Sequence, residues 1–186
     1  MEKRMIAETV RLIQQKGFTF TMDDLAKSLA TSKRTLYEFY PSKNKLVEAV
    51  IAQFIAEMKK SEAEIYGNEE LDALEKVKRI LIGLPKEMEL LNMGLLNELK
   101  KYYYDAWLTL DTFMKDEWTV ILELLDNCHK QNMIRQVNTS LFIQMYLGSI
   151  NQVYDPDYPL KNQMTTGETL ESIVDILFEG ICRKEK

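Results

Sequence analysis

Between residues 33 and 43 the chain reads KRTLYEFYPSK, and its polar side chains are of the kinds that recognise nucleic acid without covalent chemistry. Lys33 and Arg34 are long cations able to reach guanine O6 and N7 or a phosphate. Thr35 offers a methyl to a thymine or a hydroxyl to a phosphate, and Tyr37 offers a hydroxyl to the DNA backbone. Lys43 falls where a new helix starts, and there a lysine and free backbone N–H groups together suit a phosphate. Thr21 and Ser32 add two hydroxyls that serve equally well as helix caps or as phosphate donors. On an arbitrary helix a Lys-Arg pair is merely a solvated face, so the meaning of these residues depends on the elements that carry them.

Those elements can be read from the surrounding pattern. Thr21 followed by Asp24 is a capping-box arrangement, with the carboxylate at the positive end of a helix dipole. Met22, Leu25, Ala26 and Leu29 then recur at three- and four-residue spacing, which predicts one buried face on a helix of about two turns. The helix stops near Ala30, and Ser32 caps the next. Leu36, Phe39 and Tyr40 fall on one side of that second helix, while Lys33, Arg34 and Tyr37 fall on another. Pro41 ends it, and Ser42 caps a third. Two short helices joined by a tight turn form a unit that fits a DNA major groove.

At this point the chain resembles the TetR family of bacterial transcriptional regulators. The resemblance rests on Gly17, Phe18, Thr21, Leu25 and Ala26, then Ser32-Lys33-Arg34-Thr35-Leu36-Tyr37, and finally Tyr40, Lys43 and Leu46, in the family's order and spacing. It covers roughly the first 50 residues; beyond them it is architectural. It implies a homodimer bound to a palindromic double-stranded DNA operator and released by a small-molecule effector. One departure stands out. Most members carry a glycine and a small aliphatic residue in the turn, whereas this chain has Ala30 and Thr31. Alanine is a mild replacement unless the position needs a positive φ, so the expectation is a turn tighter or more helical than usual, with DNA binding retained.

Composition supports an all-α fold. Few glycines and prolines, many Leu, Ile, Met, Glu and Lys, and no run of alternating β-branched residues predict no sheet in the 186 residues. The net charge of −5 divides unevenly: residues 1–48 hold nine Lys or Arg against six Asp or Glu, and the remainder is strongly acidic. A basic reading head on an acidic body fits that asymmetry, the body discouraging indiscriminate contact with nucleic acid. The N-terminal MEKRMIAETV lacks the apolar run of a signal peptide, and no segment approaches a membrane span. The expected protein is therefore soluble and cytoplasmic, with no membrane partner. Cys128 and Cys182 have no metal-ligand spacing and read as buried reduced thiols, with a redox pair as the rival reading. His129, the single histidine, adjoins Cys128 in sequence rather than standing opposite it as a base, and there is no glycine-rich phosphate loop. Neither catalysis, a metal nor a cofactor is expected.

Nine helices are expected: Glu2–Lys16, with Ile6, Val10 and Ile13 as its stripe and Gly17 as its stop; the two of the reading unit; residues 43–66; a fifth to Gly83; a sixth from Pro85 to about Tyr104; a seventh over 109–131; an eighth over 139–154; and a ninth opened by Thr165 and Glu168 and ending near Cys182. The turn at residues 155–159 separates the last two. Residues 1–48 are expected to form the DNA-binding domain and 49–186 a helical ligand-binding and dimerisation domain. Met88, Met93, Tyr103, Trp107, Met114, Trp118 and Tyr146 concentrate aromatic and thioether groups in the middle helices, which suggests a cavity for an apolar or aromatic ligand. For any one of them, core packing is the competing reading. Helices eight and nine carry apolar faces broader than one core contact needs, and the resemblance assigns them to a two-fold interface through Phe142, Met145, Ser149, Val153, Leu170, Ile173, Val174, Leu177 and Ile181. Packing wholly within one subunit is the alternative. A dimeric small-molecule-binding or protein-interaction module with weak or no specific DNA binding is the rival to a regulator, and Ala30-Thr31 is the feature that favours it.

Overall fold

The computed structural model describes residues 1–83, 93–153, 164 and 166–182, and among them it contains helices and turns but no sheet. The helices are α1 (Glu2–Lys16), α2 (Met22–Ser28), α3 (Lys33–Phe39), α4 (Lys43–Tyr66), α5 (Ala73–Ile82), α6 (Met93–Tyr102), α7 (Tyr104–Asp116), α8 (Thr119–Lys130), α9 (Thr139–Val153) and α10 (Thr166–Ile181), with a 3-10 turn at Gly17–Thr19. Only Tyr103 separates α6 from α7. Its N–H donates to Leu99 O at 2.8 Å and its carbonyl accepts from Trp107 N–H at 3.0 Å, so the hydrogen-bond ladder runs through it. Counted as one interrupted helix, α6 and α7 make the described architecture nine-helical. An isolated bridge pairs Ile134 with Cys182.

Local signals account for most boundaries. Asp72 caps α5 by accepting Glu75 N–H at 2.8 Å. The expected seventh helix is instead two, α7 and α8, parted at residues 117–118. Trp118, the residue before α8, makes no side-chain cap bond, so nothing in the local sequence announces that break. The stripe of α1 is also turned from its expected centre: Met5, Thr9, Leu12 and Ile13 are buried, with Ile6 and Val10 at its margin. Threonine is tolerated there because Thr9 Oγ1 donates to Met5 O at 2.7 Å. Pro85, the 155–159 turn and Thr165 lie outside the described residues.

Packing divides the chain into two compact units, Met1–Glu57 with Pro85–Asp116, and Met58–Leu84 with Glu117–Lys186. The first unit therefore does not stop at residue 48. It includes the start of α4 to residue 57 and takes in α6 and α7, because Phe18, Val47, Val50 and Ile51 meet Leu95 and Leu99 in one apolar cluster. The helices of the head are too short to bury those side chains alone. In the second unit, Val77, Leu81, Leu125, Cys128, Ile134, Phe142, Val174 and Phe178 belong to one core, with the Phe142 and Phe178 rings edge to face at 5.3 Å.

The link between α2 and α3 departs from its expected form. Ala30 N–H donates to Lys27 O at 3.1 Å and Thr31 N–H to Ala26 O at 2.9 Å. These two bonds are the Schellman pattern of helix closure, whose pivot residue takes the left-handed conformation. Ala30 is that pivot, with φ 51°. The turn is neither tighter nor more helical than the glycine form. It has the same closure, reached with an alanine that carries a Cβ penalty.

Two outcomes follow from this packing. Ala30→Gly should raise the free energy of unfolding in urea by about 0.5–1 kcal/mol, since the left-handed penalty exceeds the extra freedom glycine gives the unfolded chain; an unchanged or lower value would contradict the strain. Burial pushes the Cys128 thiol up to about 11 and the Cys182 thiol upward as well. At pH 8 a disulfide-exchange reagent should reach the half-buried Cys182 first and Cys128 only on unfolding. Rapid native labelling of Cys128 would refute that order.

Candidate nucleic-acid interface

The site is assembled from caps and one buried leucine. Thr21 Oγ1 accepts Asp24 N–H at 3.1 Å while Asp24 Oδ2 accepts Thr21 N–H at 2.8 Å, completing the capping box. Lys16 from the end of α1 donates to the other oxygen of Asp24 at 2.9 Å. The Lys16 bond, then those from the Thr21 N–H and hydroxyl, hold the Asp24 carboxyl far below the usual carboxylate range. Ser32 Oγ accepts Thr35 N–H at 3.0 Å and lies 2.9 Å from Thr35 Oγ1, so α3 starts at a defined residue. Leu36 is fully buried and Tyr40 half-buried, which turns Lys33, Arg34 and Tyr37 outward.

The exposed cations are not bare. Lys33 Nζ lies 3.1 Å from Asp23, and Arg34 Nε 3.3 Å from Glu38. Asp23 also pairs with Lys27 at 2.8 Å, and hydrogen bonds from Lys27 and then Lys33 lower its pKa. Exposed pairs of this kind are worth little, so a phosphate or base edge can displace them. The Lys33–Asp23 pair also links the start of α3 to the start of α2.

Lys43 is placed otherwise. Its ammonium turns inward, donating to Phe18 O at 2.6 Å and lying 4.1 Å from the Phe20 ring centroid and 5.5 Å from that of Tyr103. Desolvation by burial lowers its pKa. Where a phosphate grip was expected, this structure gives the ammonium a carbonyl partner within the head. The carbonyl of Phe18 in the 3-10 turn and two aromatic faces together outcompete solvent for that ammonium.

The middle-helix set is spread. Met88 and the side chain of Met93 lie outside the described residues. Tyr103, Trp107 and Met114 belong to the first unit; Trp118 and Tyr146 belong to the second. Tyr103 packs on Phe18 with centroids 5.2 Å apart, and the Trp107 ring lies 5.4 Å from Lys100 Nζ. Tyr146 is buried, donates to Leu81 O at 2.6 Å and meets the edge of Trp118 at 6.0 Å. Tyr103, Trp118 and Tyr146 are thus engaged in packing within their own units. A pocket among Ile13, Phe18, Val50, Leu95 and Leu99 holds about one water molecule and includes none of the set.

The expected interface residues also separate. Phe142, Leu170, Ile173, Val174 and Ile181 are buried in the second unit's own core. Leu177 and Ser149 are half-buried, Ser149 Oγ donating to Met145 O at 2.7 Å, and the side chain of Val153 lies outside the described residues. Met145 is 52% exposed, and with it stand Leu141 at 53% and Ile176 at 70%. Periodicity marks both faces of α9 and α10 as apolar without saying which face the chain covers itself.

Sequence reasoning missed Glu98 and the second role of Gly17. Glu98 Oε2 accepts Phe18 N–H at 2.9 Å across 80 residues of chain, and nothing in a polar stretch of helix signals that. Gly17 has φ 62°, and a Cβ there would come within 2.9 Å of the same oxygen. The glycine both turns the chain and admits the carboxylate.

A sequence model of bacterial regulatory proteins, tetR family, matches residues 5–50. An uncharacterised HTH-type transcriptional regulator, YvaF of Bacillus subtilis (strain 168), is 67% identical over all of this chain and 98% of its own length. Among solved structures, the TetR family transcriptional regulator PfmR of Thermus thermophilus superposes with a TM-score of 0.70 at 19% identity, covering 97% of this chain and 100% of that one. AibR, solved with isovaleryl coenzyme A and operator DNA, gives 0.63 at 17% identity, covering 95% and 97%. The structural likenesses speak for the fold. No described helix is long and apolar enough to cross a membrane. With the tetR-type match over the head and so close a regulator relative over its whole length, the chain belongs to the TetR family, a bacterial helix-turn-helix transcriptional regulator and not an enzyme.

Proposed function

We propose that this regulator is a cytoplasmic homodimeric repressor that binds a palindromic DNA operator and releases it when a small apolar or aromatic molecule binds. The observation that carries the DNA-reading part is the outward set Lys33, Arg34 and Tyr37 on a helix fixed by Ser32 and Leu36. Residues 1–48 act as the reading domain and 49–186 as the effector and dimerisation domain. Within the first, Lys33 and Arg34 meet base edges or phosphates, Thr35 and Tyr37 the backbone, and Thr21 and Ser32 chiefly hold the helices. The rival module reading leaned on Ala30-Thr31, and the intact Schellman closure there favours the regulator.

Dimerisation is supported by the outward row on α9 and α10. Leu141, Met145 and Ile176 are exposed, and at Gly148 and Gly180 an added Cβ would meet nothing within 4 Å. Among the described residues nothing packs close against either glycine, and both would let a second copy approach closely. Two copies related by a two-fold axis would present two recognition helices to two half-sites. The aromatic and thioether content of the middle helices is what supports an apolar or aromatic effector. AibR, with its acyl coenzyme A and operator, is a relative in fold for which both ligands are named. Release requires the effector to bind two conformers unequally. α4 contributes residues to both units and is the element through which such a preference would reach the head.

Selection from a random duplex library followed by fluorescence anisotropy at several salt concentrations tests the reading. A palindromic sequence should emerge, and Lys33→Ala/Tyr37→Ala should weaken it by roughly 10–100-fold with a shallower salt slope. Lys43→Met should leave the salt slope unchanged, because that ammonium faces Phe18. Equal, weak binding by wild type and the double variant would restore the module reading. For the dimer, Met145→Asp/Ile176→Asp should halve the mass seen by light scattering, from twice 21.8 kDa to that value, with helical circular dichroism retained. A wild-type chain that is already monomeric would overturn the two-fold arrangement.

A further inference from the structure

Two aspartates lie in the first turn of α2, and they do different work. Asp24 is engaged inside the head, one oxygen accepting Thr21 N–H at 2.8 Å and the other Lys16 Nζ at 2.9 Å. Asp23 meets the reading residues instead. Its Oδ2 lies 2.8 Å from Lys27 Nζ and its Oδ1 3.1 Å from Lys33 Nζ, so one carboxylate bridges a lysine of its own helix and the first residue of α3. The capping box of α2 is complete without it. The side chains of Asp23, Lys27 and Lys33 are 44%, 77% and 54% exposed, which leaves both lysines open to an incoming phosphate.

In a helix-turn-helix the first helix crosses the DNA backbone while the second enters the groove. A carboxylate at the start of the first helix then stands among phosphates, which it repels, and beside two cations that those phosphates would otherwise take. A duplex of arbitrary sequence offers these lysines phosphates alone, and each phosphate must displace a carboxylate oxygen already in place. On its operator the protein loses the same pairs but gains the contacts of Arg34, Thr35 and Tyr37. There the prior tethering of Lys33 also has a use, since a side chain already held at the helix start loses less freedom on binding.

We propose that Asp23 is a specificity-determining residue: bridging Lys27 and Lys33, its carboxylate competes with DNA phosphates for both ammonium groups and so disfavours indiscriminate binding more than operator binding. This rests on the operator-binding reading above.

The experiment is fluorescence anisotropy over a range of salt, comparing the selected palindrome with a random-sequence duplex of equal length for wild type, Asp23→Asn, Asp23→Glu and Glu64→Gln. Asp23→Asn removes the charge at nearly constant size. Glu64→Gln changes the net charge equally but in the second unit, where Glu64 pairs with Lys60 at 3.6 Å. Asp23→Asn should bind the random duplex about 3–10-fold more tightly, with a salt slope steeper by about one to two, one for each lysine released to a phosphate. Its affinity for the palindrome should stay within about twofold, so that the ratio between the two duplexes falls. Asp23→Glu, which keeps the charge, should hold a ratio near that of wild type, and Glu64→Gln should change neither duplex. Circular dichroism confirms the fold, and should the asparagine variant not fold, Asp23→Ser carries the same comparison. An equal rise on both duplexes, no rise on the random one, a glutamate variant as tight on it as asparagine, or the same rise in Glu64→Gln would each overturn the proposal. A wild-type protein that does not prefer the palindrome would instead remove the operator reading, and this inference with it.

Discussion

A helix of seven residues has almost no stability of its own in water, and both α2 and α3 are that length. The reading unit exists because its ends are closed and its inner faces buried. Thr21 with Asp24 and Ser32 with Thr35 close the two beginnings, at about 1 kcal/mol per cap. The Schellman bonds at Ala30 and Thr31 close the end of α2. Leu25, Ala26 and Leu36 are almost wholly buried, each leucine contributing about 1.5–3 kcal/mol against exposure. The left-handed alanine costs part of this gain, and the closure persists because caps and burial on both sides of it over-determine its conformation.

Charge placement follows from the same shortage of space. The head is small, and the half-buried Lys43 turns its ammonium toward Phe18 and Phe20. Its ammonium takes the Phe18 carbonyl and two ring faces in exchange for water, and its lowered pKa records the lost solvation. The exposed cations keep acidic neighbours instead, Lys33 with Asp23 and Arg34 with Glu38. Such pairs reduce the field felt by distant phosphates while yielding to a close one, an arrangement suited to selective rather than general attraction.

The second unit poses a different problem, that of one helix pair with two apolar faces. Phe142, Val174 and Phe178 take the inner face into a core shared with α5 and α8. Leu141, Met145 and Ile176 are left outside. Exposed large apolar side chains beside open glycines form the kind of surface that the proposed second copy would cover.

Local chemistry made much of this protein legible in sequence. The capping signals at Thr21 and Ser32, the stop at Gly17 and the spacing of Leu25, Ala26 and Leu36 are properties of a few consecutive residues, and they identified the reading helices and the family. Where competing partners lie far along the chain, sequence was silent. Lys43 read as a phosphate ligand because its own neighbours suit one; only folding brought Phe18, Phe20 and Tyr103 around it. Glu98 carried no signal, because the N–H it accepts is 80 residues away. Ala30 looked harmless, since its φ is set by how α2 must close against α3. Phe142 and Met145 looked alike, for periodicity marks an apolar face but not what covers it. Sequence determined which residues form the reading helices and the family they belong to, as hydrogen bonding and capping act over one helical turn. Tertiary structure decided which charges face solvent and which side chains hold the head, as burial and long-range bonds depend on where the whole chain returns.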